Sequence, residues 1–287
     1  MAQIIDGRAL AKKTNDETKQ MVTELHSLGI KPCLAVILVG DDQASARYVR
    51  NKHKKAEQLG IESIVNHLPA ETTQTELLKV VNQYNEDPTV DGILVQSPLP
   101  KHIDEQLITR TIKPEKDVDG FHPVNVGNLF LNEPKHYPVA CTPKGVMAMF
   151  EEYQIDLTGK KAVVIGRSSI VGRPMAALLI NANATVTVLN HYSEDSKSFI
   201  KQADIVIAAT GKLHMVSGDD LKVGATVIDV GQNLNEAGKL VGDVDYDSAE
   251  KVAGYITPVP GGVGPMTIAI LMRQTVELAT WSAKDDH

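Results

Sequence analysis

Cysteine is scarce: Cys33 and Cys141 are the two in 287 residues, far apart and outside any Cys-x-x-Cys or Cys/His pattern. That excludes a disulfide framework and a structural zinc site, and it fits a reducing compartment. Long apolar runs are missing as well. The stretch MAQIIDGRALAKK holds no apolar core of a secretion signal, and core-like runs such as residues 34–39 are far too short to span a bilayer. A cytoplasmic protein without a membrane partner is the expectation. Basic side chains are in deficit, 29 against 36 acidic, for a net charge of −7. Such a surface repels nucleic acid and anionic lipid, which leaves a small-molecule ligand. Internal repeats, low-complexity tracts and a metal-ligand pattern are also lacking.

What is present suits a large α/β protein. The hydrophobic content of 43% is ample for real cores, and the length exceeds the common single-domain size, so two domains are expected. Apolar runs alternate with amphipathic stretches: LAVILV (34–39), a helix-like 45–60, ESIVNHL (62–68), a helix near 75–85, and GILVQ (92–96). This βαβαβ order implies a parallel sheet with right-handed crossovers. Asp6 is placed to cap a first helix, Thr73-x-x-Glu76 reads as a capping box, and Gly60 sits where the second helix should stop. From about 113 to 140 the periodicity fades and Pro, Asn and His gather, as in surface loops that carry a site.

A helix starting at Thr142-Pro143, with Thr142 as N-cap, leads into a second series with strands at 161–166, 184–189, 204–210 and 225–231. Near the end, Ile268, Leu271, Met272, Thr275, Val276 and Ala279 recur at helical spacing, a stripe that must bury; the first domain is its expected partner. The fold class is therefore α/β with two domains. Residues 1–140 plus 265–287 form a substrate domain, and 141–264 a Rossmann-type doubly wound cofactor domain.

The strand KAVVIG (161–166) runs into RSSIVGRP and a helix from about Pro174, the arrangement in which a pyrophosphate meets helix N–H groups. Gly166 and Gly172 are six apart with no Gly-x-Gly, so spacing alone leaves a plain glycine-softened turn open. An Arg and two hydroxyls before the helix tilt the reading toward phosphate.

The strings GRSSIVGRP (166–174), KDVDGFHP (116–123), CTPKG (141–145) and TPVPGGVGPMT (257–267) resemble the bifunctional methylenetetrahydrofolate dehydrogenase/cyclohydrolase family, in order over nearly the whole chain. The resemblance implies a one-carbon folate enzyme with NADP as cofactor, a folate substrate that can carry a polyglutamate tail, and a homodimer. By resemblance Gly166, Arg167, Ser168, Ile170, Gly172, His191, Thr210 and Gly211 meet the cofactor. Pro260, Gly261 and Gly264, in the segment 258–267 with its helix beginning near Pro265, would lie between cofactor and folate.

Tyr48 and Lys52 are four apart on a helix and hence share a face, which by spacing alone reads as a solvated basic surface. SARYVRNK nevertheless resembles the family's Tyr-x-x-x-Lys helix. That implies a stacking Tyr48 and a Lys52 that moves protons in the hydrolytic step. Arg47, Arg50, Lys54 and Lys55 nearby would assist it, attract a glutamate tail, or simply be solvated charges. Gln96 ends a parallel strand, where open α/β sheets present ligand-binding groups, or bonds the following turn; by resemblance it orients the lysine. Asp119, beside Gly120, offers a carboxylate that matches the ring N–H and exocyclic amino group of a pterin, the role that resemblance assigns it. Asp117 stays unassigned, because two carboxylates without further ligands usually mark a turn.

The chain departs from the family's pattern at several points. Ser97 replaces a usual Leu, LNHYSED (189–195) replaces a Cys-His-Ser-like stretch at the adenosine ribose, and Leu213 and Gln232 replace commoner residues. Arg167 is retained for a 2′-phosphate, with His191 or Tyr192 in place of the serine. No acidic residue ends the second strand, although Glu194 and Asp195 lie close, so NADP is favoured over NAD. Two rivals remain at this point: a dehydrogenase of amino or hydroxy acids with the same shape, and a noncatalytic nucleotide sensor. The Tyr-x-x-x-Lys helix speaks against the first, and the joint presence of Lys52, Gln96 and Asp119 against the second.

Overall fold

A computed structural model describes residues 1–285. The chain begins with β1 (Gln3–Ile4), α1 (Gly7–Ser27), β2 (Cys33–Val39), α2 (Gln43–Leu59), β3 (Glu62–Leu68), α3 (Gln74–Glu86) and β4 (Gly92–Val95). Next come α4 (Glu105–Thr111), α5 (Pro123–Leu131), α6 (Cys141–Glu152), β5 (Lys161–Ile165), α7 (Gly172–Asn181) and β6 (Thr185–Leu189). The remainder is α8 (Ser196–Gln202), β7 (Ile205–Ala208), β8 (Thr226–Asp229), β9 (Asn233–Leu234), β10 (Leu240–Val241), α9 (Tyr246–Ala249), β11 (Tyr255–Ile256) and α10 (Val263–Asp285).

The chain divides into two compact units. One comprises residues 1–12 and 142–267, the other 13–141 and 268 onward. The second unit is built on a parallel sheet in the order β3-β2-β4. Every residue of β2 is buried, which is why 33–39 reads as an unbroken apolar run rather than an alternation. Leu77, Val81, Ile93, Ile103 and Ile108 close over it, and burying each such side chain contributes roughly 1.5–3 kcal/mol. Helix α2 starts where the Asp42 carboxylate accepts from Ser45 N at 2.7 Å and stops at Gly60, whose φ of 82° favours a residue without Cβ. The Thr73/Glu76 capping box opens α3 as expected. Helix α10 is buried almost all round from Met266 to Ala279, and Gln274 within it bonds Val118 and Val139 of the second unit. The apolar stripe thus finds the partner the periodicity demanded.

The first unit carries a six-stranded sheet, β1-β11-β8-β7-β5-β6, parallel throughout. Sequence order reverses around β5, which has β6 on one side and β7 on the other. The loops after β5 and β7 therefore part at a topological switch point, where doubly wound sheets receive ligands.

Two expectations need correction. Residues 1–12 were expected with 13–140, but β1 pairs with β11 in the first unit, Ala2 N and Gln3 N donating to Glu250 O and Gly254 O at 2.8 Å. A two-residue edge strand has no periodicity to read, and what fixes it is the open backbone edge of β11. The loop-rich stretch also contains α5, which the sequence hid because a nine-residue helix begun at Pro123 shows little repeat. Helices α6, α7 and α10 start one or two residues before the expected positions, and α10 crosses from 267 in one unit to 268 in the other. The residues 286–287 of the expected substrate domain lie outside those described.

Candidate active site

In the second unit, α2 holds Tyr48 and Lys52 one turn apart, Tyr48 exposed and Lys52 half-buried. Gln96 follows β4 directly, at the carboxyl edge of the sheet. Lys52 Nζ donates to Gln96 Oε1 at 3.0 Å, so a helix residue and a strand-end residue meet 44 positions apart in sequence. Gln96 Nε2 in turn donates to Ser97 O at 2.6 Å, which fixes the amide's orientation and leaves the Oε1 end toward the ammonium. Ser97 Oγ donates to the Glu105 carboxylate at the start of α4. Ser97 is thereby tied to a neighbouring helix.

Asp119 is half-buried in the loop after the short 3-10 turn at 114–116. Burial pushes its carboxyl up to about 6, opposed by the Lys52 ammonium and reinforced by Asp117. Lys52 thus acts electrostatically on Asp119 while hydrogen-bonding Gln96, and the three expected side chains belong to one site. Asp117 has a different task. It is buried, and its Oδ2 accepts from His122 N at 2.7 Å and Asn125 Nδ2 at 3.0 Å, closing the turn that presents Asp119. Gly120 follows with φ 71°, and an added Cβ would lie 2.5 Å from the Val139 carbonyl carbon.

Beneath this loop lies Gln274, which the stripe of apolar positions on α10 did not reveal. Its Nε2 donates to Val118 O at 2.7 Å and to Val139 O at 2.9 Å. Its Oε1 accepts from Val139 N at 3.2 Å. One fully buried amide therefore stitches the backbone on both sides of the Asp119 turn.

In the first unit the loop after β5 fits a dinucleotide. Gly166 has φ 116° and room for no side chain, since an added Cβ would stand 2.2 Å from Ala209 O. A Cβ on Gly172 would stand 2.2 Å from Gly166 O. Strand end and helix start thus approach as bare backbone, the form a pyrophosphate needs at the N-terminus of α7. The Ser168 hydroxyl oxygen accepts from Val171 N at 3.2 Å and Gly172 N at 3.3 Å and shapes that loop. Ile170 is exposed beside it.

Arg167 lies 6.0 Å over the ring of Tyr192, and the rings of His191 and Tyr192 are 3.8 Å apart. A guanidinium, an imidazole and a phenol are gathered at the ends of adjacent strands β5 and β6. This donor set suits a phosphomonoester. Thr210 and Gly211 follow β7 on the other side of the switch point. Their N–H groups, and the Thr210 hydroxyl, are committed to the Asp243 carboxylate at 2.6–3.0 Å, so Thr210 and Gly211 shape the loop rather than offer those donors to a ligand. In the segment 258–267, Gly262 N donates to Pro258 O at 2.8 Å, Gly261 has φ 116°, Pro260 is exposed, and Gly264 lies at the start of α10. An added Cβ on Gly264 would be 3.8 Å from Gln232 Nε2.

Known proteins are similar to this chain over nearly its whole length. The family model described as tetrahydrofolate dehydrogenase/cyclohydrolase, catalytic domain, matches residues 5–119, and its NAD(P)-binding domain matches 140–283. The bifunctional protein FolD of Lactiplantibacillus plantarum is 61% identical over 98% of this chain and 99% of its own. The crystal structure of FolD from Campylobacter jejuni, a methylenetetrahydrofolate dehydrogenase/cyclohydrolase, superposes with a TM-score of 0.96 at 51% identity, covering 98% of this chain and 99% of that one. That of Trypanosoma brucei, complexed with NADP cofactor and an inhibitor, gives 0.94 at 41% identity, covering 99% of each chain. On these grounds the chain belongs to the tetrahydrofolate dehydrogenase/cyclohydrolase family.

Proposed function

We propose that this chain oxidises 5,10-methylenetetrahydrofolate to the 5,10-methenyl compound with NADP and hydrolyses that product to 10-formyltetrahydrofolate. The observation that carries the reading is the Lys52 ammonium held 3.0 Å from Gln96 Oε1 in the unit that also presents Asp119. An oriented proton carrier beside a recognition carboxylate is what the hydrolytic step requires and a simple dehydrogenase does not. The second unit takes the folate and the first takes the cofactor.

In the oxidation, a C–H bond of the methylene bridge breaks and its electron pair leaves with the hydrogen; NADP, when bound, supplies the hydride acceptor. The bridge carbon becomes a cation shared with its two flanking nitrogens, and no side chain has to take a proton. In the hydrolysis, the Lys52 ammonium first releases a proton to solvent, and the neutral amine takes a proton from the water whose oxygen bonds to that carbon. The ammonium so formed protonates the ring nitrogen as its C–N bond breaks, and the formyl group stays on the other nitrogen. Gln96 Oε1 keeps Nζ aimed throughout. Asp119 accepts from the pterin's ring N–H and amino group, and Tyr48 stacks on the heterocycle. Arg167 pairs with the 2′-phosphate, with His191 and Tyr192 beside it.

The exposed Arg47, Arg50 and Lys54 of α2 favour a polyglutamate tail. A homodimer is supported by β3, an edge strand with Ile64 and Val65 exposed, since open apolar edges invite pairing. Two buried cysteines that form no disulfide accord with the cytoplasm. Purified protein given methylenetetrahydrofolate and NADP should generate the methenyl absorbance, and methenyltetrahydrofolate alone should lose it. Absence of both reactions in folded protein overturns the reading.

A further inference from the structure

Asp243 is fully buried in the first unit and has no place in the chemistry described above. Its side-chain oxygens accept from four donors, and its own N–H donates to the buried Asp229 carboxylate at 2.9 Å. Asp243 Oδ2 accepts from Thr210 N at 2.6 Å, Thr210 Oγ1 at 2.8 Å and Gly211 N at 3.0 Å, and Oδ1 accepts from Asn233 Nδ2 at 2.9 Å. Its main chain is engaged as well, the carbonyl accepting from Met215 N at 2.6 Å.

The residues Gly211–Met215 are exposed. The excursion is therefore gripped at both ends by one residue, by its carboxylate at the start and its carbonyl at the finish. The same carboxylate reaches Asn233, where the turn that follows β8 enters β9. Glycines make the grip possible: a Cβ on Gly231 would lie 2.1 Å from Asp243 Oδ1.

We propose that Asp243 is the positioning residue of the cofactor site, holding the 210–215 loop and the 231–233 turn in the geometry that receives the nicotinamide half of the dinucleotide. This rests on the reading that the first unit binds NADP. A carboxyl group suits this place because both of its oxygens meet donors: an amide in its place would turn an NH₂ toward Thr210 N and Gly211 N or toward Asn233 Nδ2, donor against donor. Nothing in the side chain touches the reacting atoms, so its effect is on how tightly and in what register the cofactor is held.

The test compares wild type, Asp243→Asn and Thr210→Val, the last removing a single hydroxyl donor. NADP binding is measured calorimetrically, alongside KM and kcat for the dehydrogenase and the cofactor-independent cyclohydrolase rate. The expected result is an NADP Kd raised at least about tenfold in Asp243→Asn and about threefold in Thr210→Val. KM for NADP should rise with it, while the cyclohydrolase rate follows only the folded fraction. A folded Asp243→Asn that binds NADP as wild type does, or dehydrogenase and cyclohydrolase falling in equal proportion, overturns the proposal. If Asp243→Asn does not fold, unchanged NADP binding by Thr210→Val overturns it. A wild-type protein that binds no NADP instead overturns the underlying reading of the first unit.

Discussion

Replacing Lys52 with Gln removes the one proton carrier at the Gln96 amide and keeps a side chain able to hydrogen-bond it. Loss of a general acid–base group is worth about 10²–10⁴-fold, or about 3–5 kcal/mol of barrier, and it should fall on the cyclohydrolase alone, because hydride departure needs no protein-borne proton. A second, smaller effect follows from the same ammonium, which restrains the Asp119 carboxyl from rising further than about 6. Without it Asp119 holds its proton to higher pH. A further rise of one unit would take the protonated share at pH 7 from about a tenth to about a half, roughly doubling KM for folate. That penalty belongs to both activities and should disappear by about pH 9, whereas the loss in cyclohydrolase kcat should not. Both rates can be followed through the methenyl absorbance, its appearance with NADP and its decay without. Equal loss of the two activities at saturating folate would refute the reasoning and make Lys52 a positioning residue.

Three further outcomes follow. Asp119→Ala leaves two pterin donors unpaired; charged hydrogen bonds are worth about 1.5–3 kcal/mol, so folate affinity should weaken about ten- to a hundredfold with NADP affinity unmoved, and unchanged folate binding by titration would end the assignment. Only the ionised Asp119 accepts from both donors, so wild-type folate affinity should fall as pH drops through about 6 and hold above it, whereas Asp119→Asn should show no such step. Arg167→Ala should lower kcat/KM with NADP at least about tenfold and leave the NAD reaction nearly untouched; equal loss with both cofactors would recast Arg167 as a pyrophosphate or structural residue.

Much was legible from the chain itself. The βαβαβ order, the parallel sheets, the Asp6 and Thr73 caps, the stop at Gly60 and the burial of α10 follow from local periodicity and capping chemistry, which act over a few residues and so leave a mark in a linear string. The family strings pointed to Lys52, Gln96, Asp119 and the Gly166 loop, and the fold brings Lys52 against Gln96. Tertiary structure decided what depends on partners distant in sequence. It paired β1 with β11, because a two-residue strand is defined only by the edge it joins. It made Gln274 a stitch beneath Asp119, a role that exists only where residues 118, 139 and 274 converge. It also spent the donors of Thr210 and Gly211 on Asp243, since a buried carboxylate must be satisfied by whatever N–H and O–H groups the fold brings to it, and residue 243 stands 33 positions from Thr210.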